Sequence, residues 1–158
     1  MQHHFQNNTF ILASPEKIFN YIDDHANLSA HMQKSSWLMG GSKMNIELDK
    51  GEGKKIGSHI KMNGKVFGIS LFLDEEIVQY EPPYKKSWKT VGDIQLLIIG
   101  HYTLGFSIGS ERNGSKLKVF IDYELPTKNY WLGYLFGSMY AKWCVNRMLK
   151  DTAQHFAI

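Results

Sequence analysis

Residues Thr127–Phe156 read TKNYWLGYLFGSMYAKWCVNRMLKDTAQHF, and this stretch decides the fold. It contains no proline, and no glycine follows Gly137, so nothing interrupts a helix there. Pro126 ends the segment before it, and Thr127 is the expected N-cap. From Tyr130 to Val145 the only charged residue is Lys142. A helix that is apolar on nearly every side calls for enclosure by protein or lipid. The run falls short of the roughly 20 residues that span a bilayer, so enclosure by protein is expected.

Upstream, the pattern has period two. Ile46 and Leu48 alternate with Asn45, Glu47 and Asp49. Ile56, Ser58, Ile60 and Met62 alternate with His59, Lys61 and Asn63. Ile69, Leu71 and Leu73 open a strand that extends to about Tyr80, where Pro82-Pro83 stops it. Trp88 and Thr90 share a face of the next strand. From Leu96 the even positions Ile98, Tyr102, Leu104, Phe106 and Ile108 form an apolar stripe. Asn113-Gly114 signals a hairpin, after which Leu117, Val119, Ile121, Tyr123 and Leu125 alternate with polar residues. One-sided alternation predicts an antiparallel sheet with one wet and one covered face.

The opening adds a first strand, His4 to Leu12, and a helix begun by Ser14-Pro15-Glu16: a cap, a proline at N1, and an acid at the positive helix end. A second short helix is expected around Asn27–Met32, and Gly40-Gly41 marks a loop. The fold class is therefore α+β. A curved seven-stranded antiparallel sheet wraps around a long C-terminal helix, with two short helices after strand one. Residues 1–158 form a single domain.

Composition excludes several classes. The net charge is +3, and lysines such as Lys43, Lys50, Lys54, Lys55, Lys85, Lys86, Lys89, Lys116 and Lys118 are scattered. They read as solubilising surface lysines rather than a nucleic-acid footprint. The single cysteine, Cys144, permits no intrachain disulfide and reads as a small buried hydrophobe. MQHHFQNN lacks the features of a signal peptide, so a cytoplasmic protein is expected.

Two segments carry a family resemblance. Phe10-Ile-Leu-Ala-Ser-Pro-Glu-Lys-Ile-Phe-Asn-Tyr-Ile-Asp-Asp24 is similar to the opening signature of polyketide cyclase/dehydrase-type members of the START-like (SRPBCC) superfamily. Val78-Gln-Tyr-Glu-Pro-Pro83, followed by Trp88, resembles their mid-sheet turn. The resemblance implies a helix-grip fold with an elongated cavity between sheet and C-terminal helix. It implies apolar ligands such as lipids, sterols, polyketides or hormones. Family members include carriers and aromatase/cyclases, and the aromatic first half of this helix departs from the common pattern.

Within that frame the expected cavity wall is Ile60, Met62, Leu71, Trp88, Tyr102, Leu104, Val119, Ile121, Tyr123, Phe136, Met139 and Trp143. These residues also read as ordinary core. Tyr102 and Tyr123 lie in register with the covered face, where a hydroxyl forms a structural hydrogen bond or orients a ligand carbonyl. Glu75 shares parity with Leu71, Leu73 and Ile77. A bulge near Asp74–Glu76 is expected to return it to solvent; without one it is a buried carboxylate able to act as acid or base. His3, His4, His25, His31, His59, His101 and His155 form no metal-binding pattern, and no phosphate loop occurs, so neither metal nor cofactor is called for. Gly133 and Gly137 read as points of close helix–sheet approach. The leading function is binding or transport of an apolar small molecule. A cyclase or dehydratase using pocket tyrosines or a carboxylate is the alternative, and its catalytic residues are left unassigned. A third reading uses the aromatic helix start as a homodimer or membrane contact.

Overall fold

A computed structural model of the chain describes residues 2–24, 27, 44–66 and 68–157. The expected second short helix, the Gly40-Gly41 loop, His25 and His31 lie outside the described residues. Strand β1 (His3–Ile11) is followed by helix α1 (Pro15–Asp23). Then come β2 (Met44–Leu48), β3 (His59–Val66), β4 (Ile69–Glu81), β5 (Lys85–Thr90), β6 (Tyr102–Glu111) and β7 (Gly114–Tyr123). Helix α2 (Tyr130–His155) ends the chain. The seven strands form one sheet in the order β1-β7-β6-β5-β4-β3-β2. Every pairing is antiparallel, so the expected architecture stands.

Local chemistry explains the elements. Ser14 Oγ accepts the Lys17 amide at 3.4 Å and Pro15 opens α1. Ile18, Phe19 and Ile22 form the buried stripe of that helix. Asn113 has φ 66 at the β6–β7 hairpin, the left-handed conformation that Asn tolerates. Residues 117, 119, 121 and 123 of β7 are buried, as the period-two reading requires.

Four expectations change. The stripe from Leu96 to Ile108 is not one strand: β6 begins at Tyr102, and residues 94–98 are half-buried irregular chain tied to Phe72 through Gln95. Helix α2 begins after Asn129, with φ 59, rather than at a Thr127 cap. The first half of α2 is not enclosed: Tyr130, Trp131, Tyr134 and Leu135 are 59–73% exposed. Finally, the β4 register shift falls between Ile77 and Gln79, beyond Glu75, so Glu75 keeps its inward parity and is 1% exposed.

The buried side of α2 explains where the helix lies. Gly133, Gly137, Ala141, Cys144, Val145, Met148, Leu149 and Thr152 form that side, and the helix packs mainly on β1 and β7. A Cβ on Gly133 would collide with Pro126 and come within 2.9 Å of the Ile98 carbonyl. Gly137 sits against Leu125 and Tyr123 at ordinary contact distance. The close approach is therefore confined to Gly133, and there it is to connecting chain rather than to a strand.

Candidate functional site

The covered face of the sheet brings together most of the expected wall. Ile60 and Met62 of β3, Leu71 of β4, Trp88 of β5, Tyr102 and Leu104 of β6, and Val119, Ile121 and Tyr123 of β7 are all buried. The helix contributes less than expected. Phe136 is 39% and Met139 45% exposed, and Trp143 is half-buried. These three lie off the side of α2 that meets β1 and β7.

Within the apolar face sits a polar pair. The Tyr102 hydroxyl donates to Glu75 Oε2 at 2.5 Å, and both residues are buried. Burial, followed by the adjacent Glu75 carboxylate, holds the Tyr102 phenol well above its ordinary pKa. Tyr102 is therefore a proton donor at neutral pH, never a base. Tyr140 and Cys144 of α2 flank the pair. Burial first, then the neighbouring Cys144, raises the Tyr140 phenol well above its ordinary value. Burial pushes the Cys144 thiol up to about 12, with Tyr140 pulling slightly back. Cys144 is thus inert, as expected of a buried hydrophobe.

A second polar cluster lies under α1 and was missed. Lys86 is fully buried, contrary to its reading as a surface lysine. Its Nζ donates to Asp23 Oδ1 at 2.8 Å and lies 5.7 Å from the centre of the Tyr80 ring. The Tyr80 hydroxyl donates to Asp23 Oδ2 at 2.6 Å. Desolvation lowers the Lys86 pKa, and Asp23 opposes that shift. The sequence held the signal: Lys86 shares parity with Trp88 and Thr90, which already marked the inward face.

One cavity, of about 260 Å³, opens at the end of the sheet between residues 92–101 and 124–128. Ile94, Leu96, Ile99 and Leu125 form its apolar wall, with Asp93, His101, Glu124 and Lys128 also lining it. None of the expected wall residues lines it. Thr90 links it to the polar pair: His101 Nδ1 lies 2.8 Å from Thr90 Oγ1, which accepts the Tyr102 amide at 3.0 Å, and Thr90 stands opposite Glu75.

This arrangement of sheet and helix recurs in solved structures. Ara h 8.0201 is similar at TM-score 0.64 and 16% identity, covering 99% of this chain and 98% of that one. The chain has the START-like helix-grip fold. Norcoclaurine synthase from Thalictrum flavum shares it at TM-score 0.64 and 13% identity, over 98% of this chain and 86% of that one. The di-domain ARO/CYC BexL from the BE-7585A biosynthetic pathway matches at TM-score 0.66 and 15% identity, over 99% of this chain and 50% of that one. At such identities the likeness establishes the helix-grip fold alone. No protein-family model and no curated protein matches the sequence. Among the described residues no helix is long and apolar enough to cross a membrane.

Proposed function

We propose that the protein binds an apolar small molecule, a lipid or polyketide-like compound, between the covered face of the sheet and the flank of α2. The observation that carries this reading is the Tyr102–Glu75 pair set in an otherwise apolar wall. Small-molecule sites combine a mainly apolar lining with a few placed polar groups that fix orientation. The helix-grip neighbours include a synthase and an ARO/CYC protein, which supports a small-molecule role. The test is titration of the folded protein with a fluorescent fatty acid, alongside Met139→Trp. Met139 is half-exposed, so added bulk there does not overpack the core, and any loss of binding reports on the helix surface rather than on folding. Weaker binding by the variant is expected. Unchanged affinity in a folded variant would place the site elsewhere.

A second reading, a cyclase or dehydratase, is favoured by the same pair. In it Glu75 takes a proton from carbon next to a ligand carbonyl, and the Tyr102 hydroxyl, protonated at neutral pH, donates to the carbonyl oxygen. A positioned acid–base group contributes about 10²–10⁴-fold to rate. Turnover of a polyketide-like substrate that falls a hundredfold or more in Glu75→Gln, with binding retained, would establish this reading. Absence of turnover in the wild type would leave binding alone.

A further inference from the structure

The first half of α2 poses a problem that ligand binding does not solve. Tyr130, Trp131, Tyr134 and Leu135 project into solvent at 59–73% exposure. At 3.6 residues per turn, Trp131, Leu135, Ser138 and Lys142 follow one another along one side of the helix, with Tyr130 and Tyr134 beside them. All six are exposed. A contiguous exposed apolar patch marks an interaction site. Gly133, on the side away from Trp131 and Leu135, packs against Pro126 and the Ile98 carbonyl and so holds the start of the helix down.

Charge identifies the occupant. From Leu125 to Lys150 the chain contains no acidic residue, but it has Lys128, Lys142, Arg147 and Lys150. Arg147 is paired with Asp151 at 3.1 Å. Lys128 and Lys142 are exposed and have no ion-pair partner among the described residues. They bracket the aromatic patch at either end. Two copies meeting through this patch would bring these lysines toward one another, since a two-fold interface uses the same surface twice. An anionic lipid surface instead neutralises them. Tyrosine and tryptophan are also the side chains suited to the headgroup level, where an apolar ring body and a polar tip are both accommodated. No described helix can span the bilayer, so the contact is one of lying in the interface.

We propose that the Tyr130–Lys142 face of α2 docks on an anionic lipid bilayer. The cavity at residues 92–101 and 124–128 ends at Lys128, immediately before the docking face. The proposal goes beyond the ligand reading and does not depend on it, because its test uses no interior ligand.

The intact chain is sedimented with phosphatidylcholine vesicles with and without phosphatidylserine. Co-sedimentation is expected with the phosphatidylserine vesicles, falling as salt is raised because screening shortens the reach of the lysines. Trp131→Ser with Tyr134→Ser should lower partitioning about tenfold or more, with the circular dichroism of the wild type retained because both side chains are exposed. Lys128→Glu with Lys142→Glu should abolish the preference for phosphatidylserine. The proposal is overturned by failure to sediment with either vesicle, by equal partitioning into both, or by variants that bind as the wild type does. It is also overturned if the protein dimerises without lipid and the aromatic variant alone makes it monomeric, since the occupant would then be a second copy.

Discussion

The covered face of the sheet holds two buried polar clusters built on opposite principles. Under α1, a cation, a carboxylate and a phenol close on one another: Lys86, Asp23 and Tyr80. Asp23 is the last residue of α1 and Lys86 lies on β5, so the pair fastens the helix to the sheet. Under α2, a carboxylate receives a hydroxyl, with a second phenol and a thiol nearby: Glu75, Tyr102, Tyr140 and Cys144. A carboxylate matched with a cation is committed to the fold. One that receives a phenol can release that donor to a ligand oxygen. The fold uses the first cluster for attachment; in the proposed function the second is the one that meets a ligand.

The largest expected effect breaks the first cluster. Asp23→Asn leaves the Lys86 charge buried beside a neutral amide, and removing one partner of a buried pair costs about 3–5 kcal/mol. Urea unfolding of the variant checks this. Combining it with Lys86→Met should restore most of the loss, because no charge is then stranded. A double variant as weak as the single would mean that the pair contributes mainly packing.

Tyr102→Phe should cost less, about 1–3 kcal/mol for a buried acceptor deprived of its donor. It should also weaken fatty-acid binding, which Asp23→Asn should not do in protein shown to be folded. That crossed result would sharpen the contrast; equal effects of both variants on affinity would erase it.

A smaller effect is pH-dependent. Desolvation lowers the Lys86 pKa in the folded protein, so over the window from that lowered value to the ordinary value the unfolded chain binds more protons. Stability therefore rises with pH across that window. Raised tyrosine pKa values act in the opposite sense above their ordinary value, since the folded state then keeps protons that the unfolded chain loses. The quantity to measure is the stability of the wild type minus that of the Asp23→Asn/Lys86→Met variant, which shares those tyrosines. This difference should increase as pH rises toward about 10; above that Tyr80, whose phenol is held up first by burial and then by Asp23, acts in the opposite sense.

Smallest is the chemistry of Cys144. With its thiol pushed up to about 12, roughly one part in 10⁵ is thiolate at neutral pH. Labelling by iodoacetamide in the folded state should be negligible. Rapid labelling at neutral pH would show that the region around Glu75 and Tyr102 opens to solvent.

The antiparallel strands and the long helix were legible because period-two alternation and an uninterrupted helical run are local signals. The Ser14-Pro15 start and the Asn113-Gly114 hairpin were legible for the same reason. Glu75 was misplaced because parity survives only up to a bulge, and the bulge position depends on how β4 pairs with β5. Lys86 was hidden among neighbouring lysines, although alternation alone puts Lys85 and Lys86 on opposite faces. The open start of α2 could not be read from its apolarity. Composition shows that a surface seeks cover, but the close approach at Gly133 fixes how the start of the helix sits.

The central claim is tested most directly by titrating isotope-labelled protein with a fatty acid and following backbone amide NMR signals. Binding beside the Tyr102–Glu75 pair predicts the largest shifts on β3–β7 around Ile60, Glu75, Trp88, Tyr102 and Ile121, and on α2 from Phe136 to Trp143. Shifts confined to residues 92–101 and 124–128, or no shifts at all, would contradict it.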